Sequence, residues 1–272
     1  LFGVLWSQFA LTTLIGMKTI ITALLVCGFF NAVKERHYEW AGVLLGLTSI
    51  QPYITIALGL YVFIWSIRER HFQIIIWQWI TLLFLCGLGA LIRPQWLVDY
   101  LRVLFTPSTE LFTLSRLVGD ILPAAGVRVS IIISVIAGFI LLLEWFIGPR
   151  KSFDRFLWTG SLTLALTPLL GGLTEPSSYL VLMLGIFLAL KLLNERWPFK
   201  GKIFSILFIL IFLVGGWLLL YPNIDQRLIH LHGYFFFAPI LTAIMLYWVR
   251  WWAMDKPRVW YDSALSDQIK LT

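Results

Sequence analysis

The spacing of its charges constrains this chain most. Between charged clusters the sequence runs apolar for about 20 residues at a time, the length a helix needs to cross the ~30 Å hydrocarbon core of a bilayer. Only 13% of its 272 residues are charged and 60% are hydrophobic, with a mean hydropathy of +0.86. A soluble domain carries about 25% charged residues, so a soluble fold is excluded. The expected fold is an all-α polytopic transmembrane helical bundle, because closed helices satisfy every backbone group inside lipid. One membrane domain over residues 1–254 and a polar cytoplasmic tail over 255–272 are expected, with no internal repeat and no low-complexity tract. The net charge of +7 sits in short loops between apolar spans, which argues for membrane topology and against a nucleic-acid partner. Cys27 and Cys86 fall inside expected spans and read as buried structural thiols, not as a disulfide.

One stretch breaks the pattern. Trp40 to Ile50 and Tyr53 to Ile67 are two apolar runs joined by Gln51-Pro52, each shorter than one crossing and together longer than one. Proline lacks an amide hydrogen and disfavours helical geometry at the residue before it, so the break is expected near Gln51. Broken helices at membrane depth persist only inside protein or beside a wet cavity, since their freed backbone groups need partners. The remaining expected segments are Phe9 to Val33, Gln73 to Ile92, Val127 to Ile147, Phe156 to Leu173, Tyr179 to Leu193, Ile203 to Tyr221 and Tyr234 to Trp252, nine apolar segments with the short pair.

Basic residues set the orientation. If the short pair forms a hairpin that returns to its starting side, Arg93, Arg102, Arg116, Arg128 and Arg227 fall on one side. Lys18 lies within a span, and the rest of the 21 Lys and Arg fall on the other side. A single crossing would shrink this asymmetry. The positive-inside rule therefore favours the hairpin, with the basic loops cytoplasmic. On the outer side, Gln95 to Phe105 has apolar residues at helical spacing and reads as a helix lying in the headgroup plane, or as a packed connector.

Three patterns, in order, resemble the glycosyltransferase 87 family, integral-membrane enzymes of the GT-C type that use polyprenyl-phosphate sugars. The first is Ser7-Gln8 opening a span, where the family has Gly-Gln. The second is Ala41-Gly42 leading to Ile50-Gln51-Pro52-Tyr53 and then Arg68-Glu69-Arg70, where the family reads Ala-Gly, Lys-Pro-Gln and a basic turn. The third is Thr174-Glu175-Pro176-Ser177-Ser178-Tyr179, similar to a Ser-Pro turn before a late span. Gln51 stands where the family has Lys, which removes a charge that would meet a phosphate. The family's usual catalytic acid, in an early external loop, would lie upstream of Leu1. The stretch from Leu1 onward is therefore expected to transfer no sugar by itself.

The resemblance implies sugar transfer from a polyprenyl-phosphate donor to an extracytoplasmic glycan or lipid acceptor at a bacterial plasma membrane. It implies no cofactor beyond that donor. The alternatives are a non-catalytic membrane subunit that packs on partner proteins and a lipid or polysaccharide carrier. Glu175 is the expected catalytic acid, in the motif-like external turn, since transfer to a hydroxyl needs a base. Gln8, Lys18, Gln51, Arg93 and Tyr179 are the expected lipid-phosphate and substrate residues. Gln8, Thr12, Thr19 and Thr22 share a narrow helical arc, with the intramembrane Lys18 on its flank. Arg93 offers a planar fork to phosphate, or anchors the interface. Arg116 and Asp120, four apart, read as a helical ion pair. His230 and His232, near Asp225, form a His-x-His pair without the further ligands of a metal site, so no metal is expected.

Overall fold

The computed structural model describes residues 6, 7, 9, 12, 13, 18–105, 113–147, 152–171, 176–197, 200–220 and 232–250, and helix is the regular structure throughout them. In order these are α1 (Lys18–Lys34), α2 (Tyr38–Leu47), α3 (Pro52–Arg68), α4 (Phe72–Ile92), α5 (Trp96–Phe105) and α6 (Leu114–Ile121). Then follow α7 (Gly126–Ile147), α8 (Phe153–Leu166), α9 (Met183–Arg196), α10 (Lys200–Leu210), α11 (Gly216–Leu220) and α12 (His232–Trp248). Tight 3-10 turns occupy Thr48–Ile50, Thr167–Leu170 and Pro176–Leu182, and a π segment, Ile211–Gly215, joins α10 to α11.

Among the described residues four helical stretches are long and apolar enough to cross a membrane: Phe72–Ile92, Gly126–Phe146, Ser178–Arg196 and Lys200–Leu219. They divide by environment. Ser178–Arg196 is 67% buried and belongs to the core, whereas Phe72–Ile92 is 11% buried. A helix that is apolar all round yet exposed, with Leu83 and Phe84 on its open face, is suited to lipid. The core centres on α8, in which every side chain from Arg155 to Leu166 is buried except the half-buried Leu157. Tyr61 donates to the Phe156 carbonyl at 3.3 Å, the Trp158 indole to the Leu246 carbonyl at 2.7 Å, and the Trp145 indole to Thr163 Oγ1 at 3.0 Å. Aromatic rings thus deliver large apolar area while their polar edges stay satisfied. The segment expected to cross from Phe156 to Leu173 is a 14-residue helix, α8, that tightens into a 3-10 turn at Thr167-Pro168. Proline cannot donate to the carbonyl four residues back, so α8 ends there.

The short pair forms a hairpin. Helix α2 runs beside α4 in the same direction. A Cβ at Gly42 would lie 2.5 Å from the Ile74 carbonyl oxygen, and one at Gly46 2.8 Å from Thr81 Cβ. Two glycines four apart let the backbones meet, the small-residue seam common between helices in lipid. Helix α3 runs back. Gly59 lies level with Gln78, Trp65 is 5.2 Å from the His71 ring, and that ring stacks on Tyr38 at 4.2 Å. The first residue of α2 and the last turn of α3 therefore meet at one histidine, and the hairpin starts and finishes at the same end of the molecule.

That end carries a short repeated turn. Lys34-Glu35-Arg36-His37-Tyr38-Glu39 recurs, conservatively changed, as Arg68-Glu69-Arg70-His71-Phe72-Gln73. The expectation of no internal repeat is thus corrected at this scale. Six residues are too few to stand out until both copies adopt one shape. In each, the histidine amide bonds back to the carbonyl five residues earlier (His37 to Ala32 and His71 to Ser66, both 2.8 Å). The arginine amide bonds to the carbonyl three back, at 3.1 Å for Arg36 and 3.3 Å for Arg70. The arginines take φ 62° and 59°. This is a Schellman ending with arginine at the left-handed position that glycine usually fills.

Arg68 also donates to the Trp145 and Phe146 carbonyls at 2.6 and 3.2 Å, where α7 ends and its carbonyls lack helical partners. Nearby, Arg250 grips the buried Glu144. The thiols differ from expectation: both are free, but Cys27 is exposed and Cys86 half-exposed, because α1 and α4 are not wrapped on all sides.

Candidate functional site

The hairpin tip is built by backbone accounting. Helix α2 gives way to a 3-10 turn at Thr48, and Gln51 leaves helical geometry (φ −126°, ψ 76°) before Pro52 opens α3. A break of this kind frees carbonyls that lipid cannot satisfy. Hydroxyls on nearby elements fill the gap. Thr55 Oγ1 lies 3.1 Å from the Thr48 carbonyl and 2.9 Å from that of Gln51. Tyr100, from α5, donates to the Ser49 carbonyl at 3.1 Å. The helix expected in the headgroup plane thus packs on the hairpin tip, and it is α5.

Gln51 itself turns inward and is 6% exposed. Its Nε2 donates to Thr19 Oγ1 at 3.0 Å, while Oε1 is buried without a hydrogen-bond partner among the described residues. Exchanging the amide's oxygen and nitrogen would only move the vacancy to nitrogen. One polar atom of this amide stays unmatched either way, a state native proteins seldom keep without a use. Pro52, Thr48 and Ser49, flanking Gln51, line a largely apolar groove of about 340 Å³ that continues between α3 and α4 past Thr55, Gly59, Phe63 and Gln78.

The residues expected to act together are placed as follows. Thr12, Thr19 and Thr22 are all buried, so the polar arc of the first segment faces inward. Lys18, on its flank, is exposed. Arg93 is exposed and ion-paired to Asp99 at 2.9 Å, so its charge is already engaged. Tyr179 is 1% exposed, in the 3-10 stretch that packs against α1. Among the described residues Gln51 bonds to Thr19, while Arg93 is turned to Asp99. Gln8 and Glu175, the pair Asp225 and His230, the tail 255–272, and the side chains of Arg116, Asp120 and His232 lie outside the described residues. Among the described residues no cluster of His, Cys, Asp and Glu could hold a metal.

Thr48 and Thr55 join Thr19 of the polar arc, and Tyr100 of the amphipathic α5, as the hydroxyls that serve the tip. The two hydroxyls three before and four after Gln51 were a usable signal, since a break needs acceptors satisfied within about one turn. The phenolic pKa of Tyr100 is raised above its ordinary value, chiefly by burial and then by Tyr53 and Cys86, which keeps it a hydrogen-bond donor.

No protein-family model, curated protein or solved structure matches this chain.

Proposed function

We propose that the chain is an integral-membrane glycosyltransferase of the GT-C type, moving a sugar from a polyprenyl-phosphate donor to an extracytoplasmic acceptor. The observation that carries this reading is the unmatched amide of Gln51, buried at a helix break whose flanking residues open an apolar groove. A groove of that character suits an isoprenoid tail, and the buried amide beside it is a polar atom still lacking a partner. In the transfer, the acceptor oxygen bonds to the sugar's anomeric carbon. The bond from that carbon to the phosphate oxygen breaks, and its electron pair leaves with the polyprenyl phosphate. The acceptor's proton passes to a carboxylate, for which Glu175 is the proposed base. The excess of Lys and Arg at the end away from Gln51 supports a cytoplasmic placement of that end, in what we take to be a bacterial plasma membrane.

A second reading is a membrane subunit that holds a polyprenyl lipid without catalysis. It is favoured by one observation: Asp99, next in sequence to the Tyr100 that bonds the hairpin tip, is already paired with Arg93.

The test is reconstitution in liposomes with radiolabelled polyprenyl-phosphate sugars, measuring donor binding and transfer separately. Transfer that Glu175→Gln abolishes while donor binding persists supports the enzyme. Donor binding without transfer supports the lipid-holding subunit. Absence of donor binding overturns both.

A further inference from the structure

The basic end of the molecule carries a second cavity, about 25 Å from the hairpin tip by the length of the 17-residue α3. It has a volume of about 460 Å³ and lies between the two repeated turns. The first turn contributes Lys34, Arg36 and Tyr38, the second Glu69 and His71. Ser152, which caps the start of α8 by accepting from the Arg155 amide at 3.3 Å, closes it on one side. Trp65, Phe153 and Phe156 form an aromatic wall.

The two turns share a sequence and a backbone but use their cations differently. Arg68 in the second turn is committed to the carbonyls that end α7. Its counterpart Lys34 is exposed, and neither Lys34 nor Arg36 makes an ion pair or side-chain hydrogen bond among the described residues. Of the two copies, only the first turns its Lys and Arg side chains to the cavity. Against those two cations stands one carboxylate, Glu69. The cavity thus presents surplus positive charge and N–H donors on one side and aromatic surface on the other. It sits where apolar helices meet a charged loop, the depth at which a bilayer places its phosphates.

We propose that this cavity binds the phosphate of an anionic lipid headgroup. The Lys34 ammonium and Arg36 guanidinium take the phosphate oxygens, and the aromatic wall takes the glycerol and upper acyl carbons. Arginine and lysine together suit a phosphodiester, one as a planar fork and the other as a mobile point charge. The volume falls within the ~300–1,000 Å³ of ordinary small-molecule sites. This site is separate from the groove at Gln51 and does not depend on the chain's being a transferase.

The experiment is native mass spectrometry of the full chain from mixed phosphatidylcholine and phosphatidylglycerol micelles, with retained lipids counted. Wild type should retain phosphatidylglycerol over phosphatidylcholine. The double variant Lys34→Gln, Arg36→Gln should lose that preference on the order of tenfold, while Arg70→Gln, the repeat's counterpart outside the cavity, should change it less than about twofold. The swap Lys34→Arg, Arg36→Lys keeps the charge and should retain most of the preference, which separates lost binding from lost folding. Competition by millimolar inorganic phosphate would assign the site to a soluble phosphate and overturn the lipid as its ligand. Retained lipid despite phosphate supports the headgroup. An equal loss in Arg70→Gln, or no preference in wild type, would overturn the proposal.

Discussion

Arg250 approaches Glu144 with two nitrogens, Nε 2.9 Å from Oε1 and Nη2 3.3 Å from Oε2, across 106 positions of sequence. The carboxylate side chain is 8% exposed and the arginine 21%, so α7 and the end of α12 are joined by a charge pair largely withdrawn from water. Removing one member of such a pair strands the other. Arg250→Gln should destabilise the fold by on the order of 3 kcal/mol, and adding Glu144→Gln should restore most of the loss. Thermal unfolding of the two single variants and the double variant in one detergent checks this. Strictly additive losses would mean that the pair is not coupled.

Gln51→Leu separates structure from binding. The substitution removes one hydrogen bond to Thr19 and also the unmatched polar atom, so stability should change by less than about 1 kcal/mol. Retention of a polyprenyl phosphate should fall about tenfold if the amide's free atom meets the headgroup. An unfolding midpoint and a lipid-retention measurement on the same preparation give both numbers. A large stability loss with unchanged retention would make the amide a packing element.

The α2–α4 seam makes a sharper steric prediction. Gly42→Ala places a Cβ against the Ile74 carbonyl oxygen and Trp77 Cβ, neither of which can swing aside. It should cost roughly 1–3 kcal/mol, as other overpacking does. Gly87→Ala, on the same α4, meets nothing within 4 Å and should be neutral or stabilising by up to about 1 kcal/mol. Comparing their unfolding midpoints tests whether the hairpin is held by close backbone approach.

Tyr100 supplies a pH prediction. Burial raises its phenolic pKa, so the folded state favours the neutral phenol. The stabilisation from docking α5 on Ser49 is then fully present below the ordinary tyrosine value of about 10 and is lost as pH rises through the raised one. The difference in phenolate absorbance between wild type and Tyr100→Phe should titrate above pH 10, about the unperturbed value.

The parts of this fold legible in sequence were those written in local periodicity. The break at Gln51-Pro52, the short arms, the amphipathic α5 and the inward-facing threonines all follow from helical spacing or from proline chemistry. Partnerships between helices were not legible. Nothing local joins Glu144 to Arg250 or Gln51 to Thr19, and Arg155, counted among loop cations, is buried at the first turn of α8. Lys18 and Thr19 are adjacent in sequence, but about 100° of helical rotation sends one outward and the other to Gln51.

The meeting of Tyr38 and Trp65 on His71 has a consequence for counting. A segment that enters and leaves by the same door contributes an even number, zero, to the tally of membrane crossings. Every helix after Phe72 therefore keeps the sidedness it would have if residues 38–68 were absent. Reporter cysteines at 35 and 70 should react with the same impermeant reagent from the same face. Excising the loop should leave the orientation of α4 and all that follows unreversed.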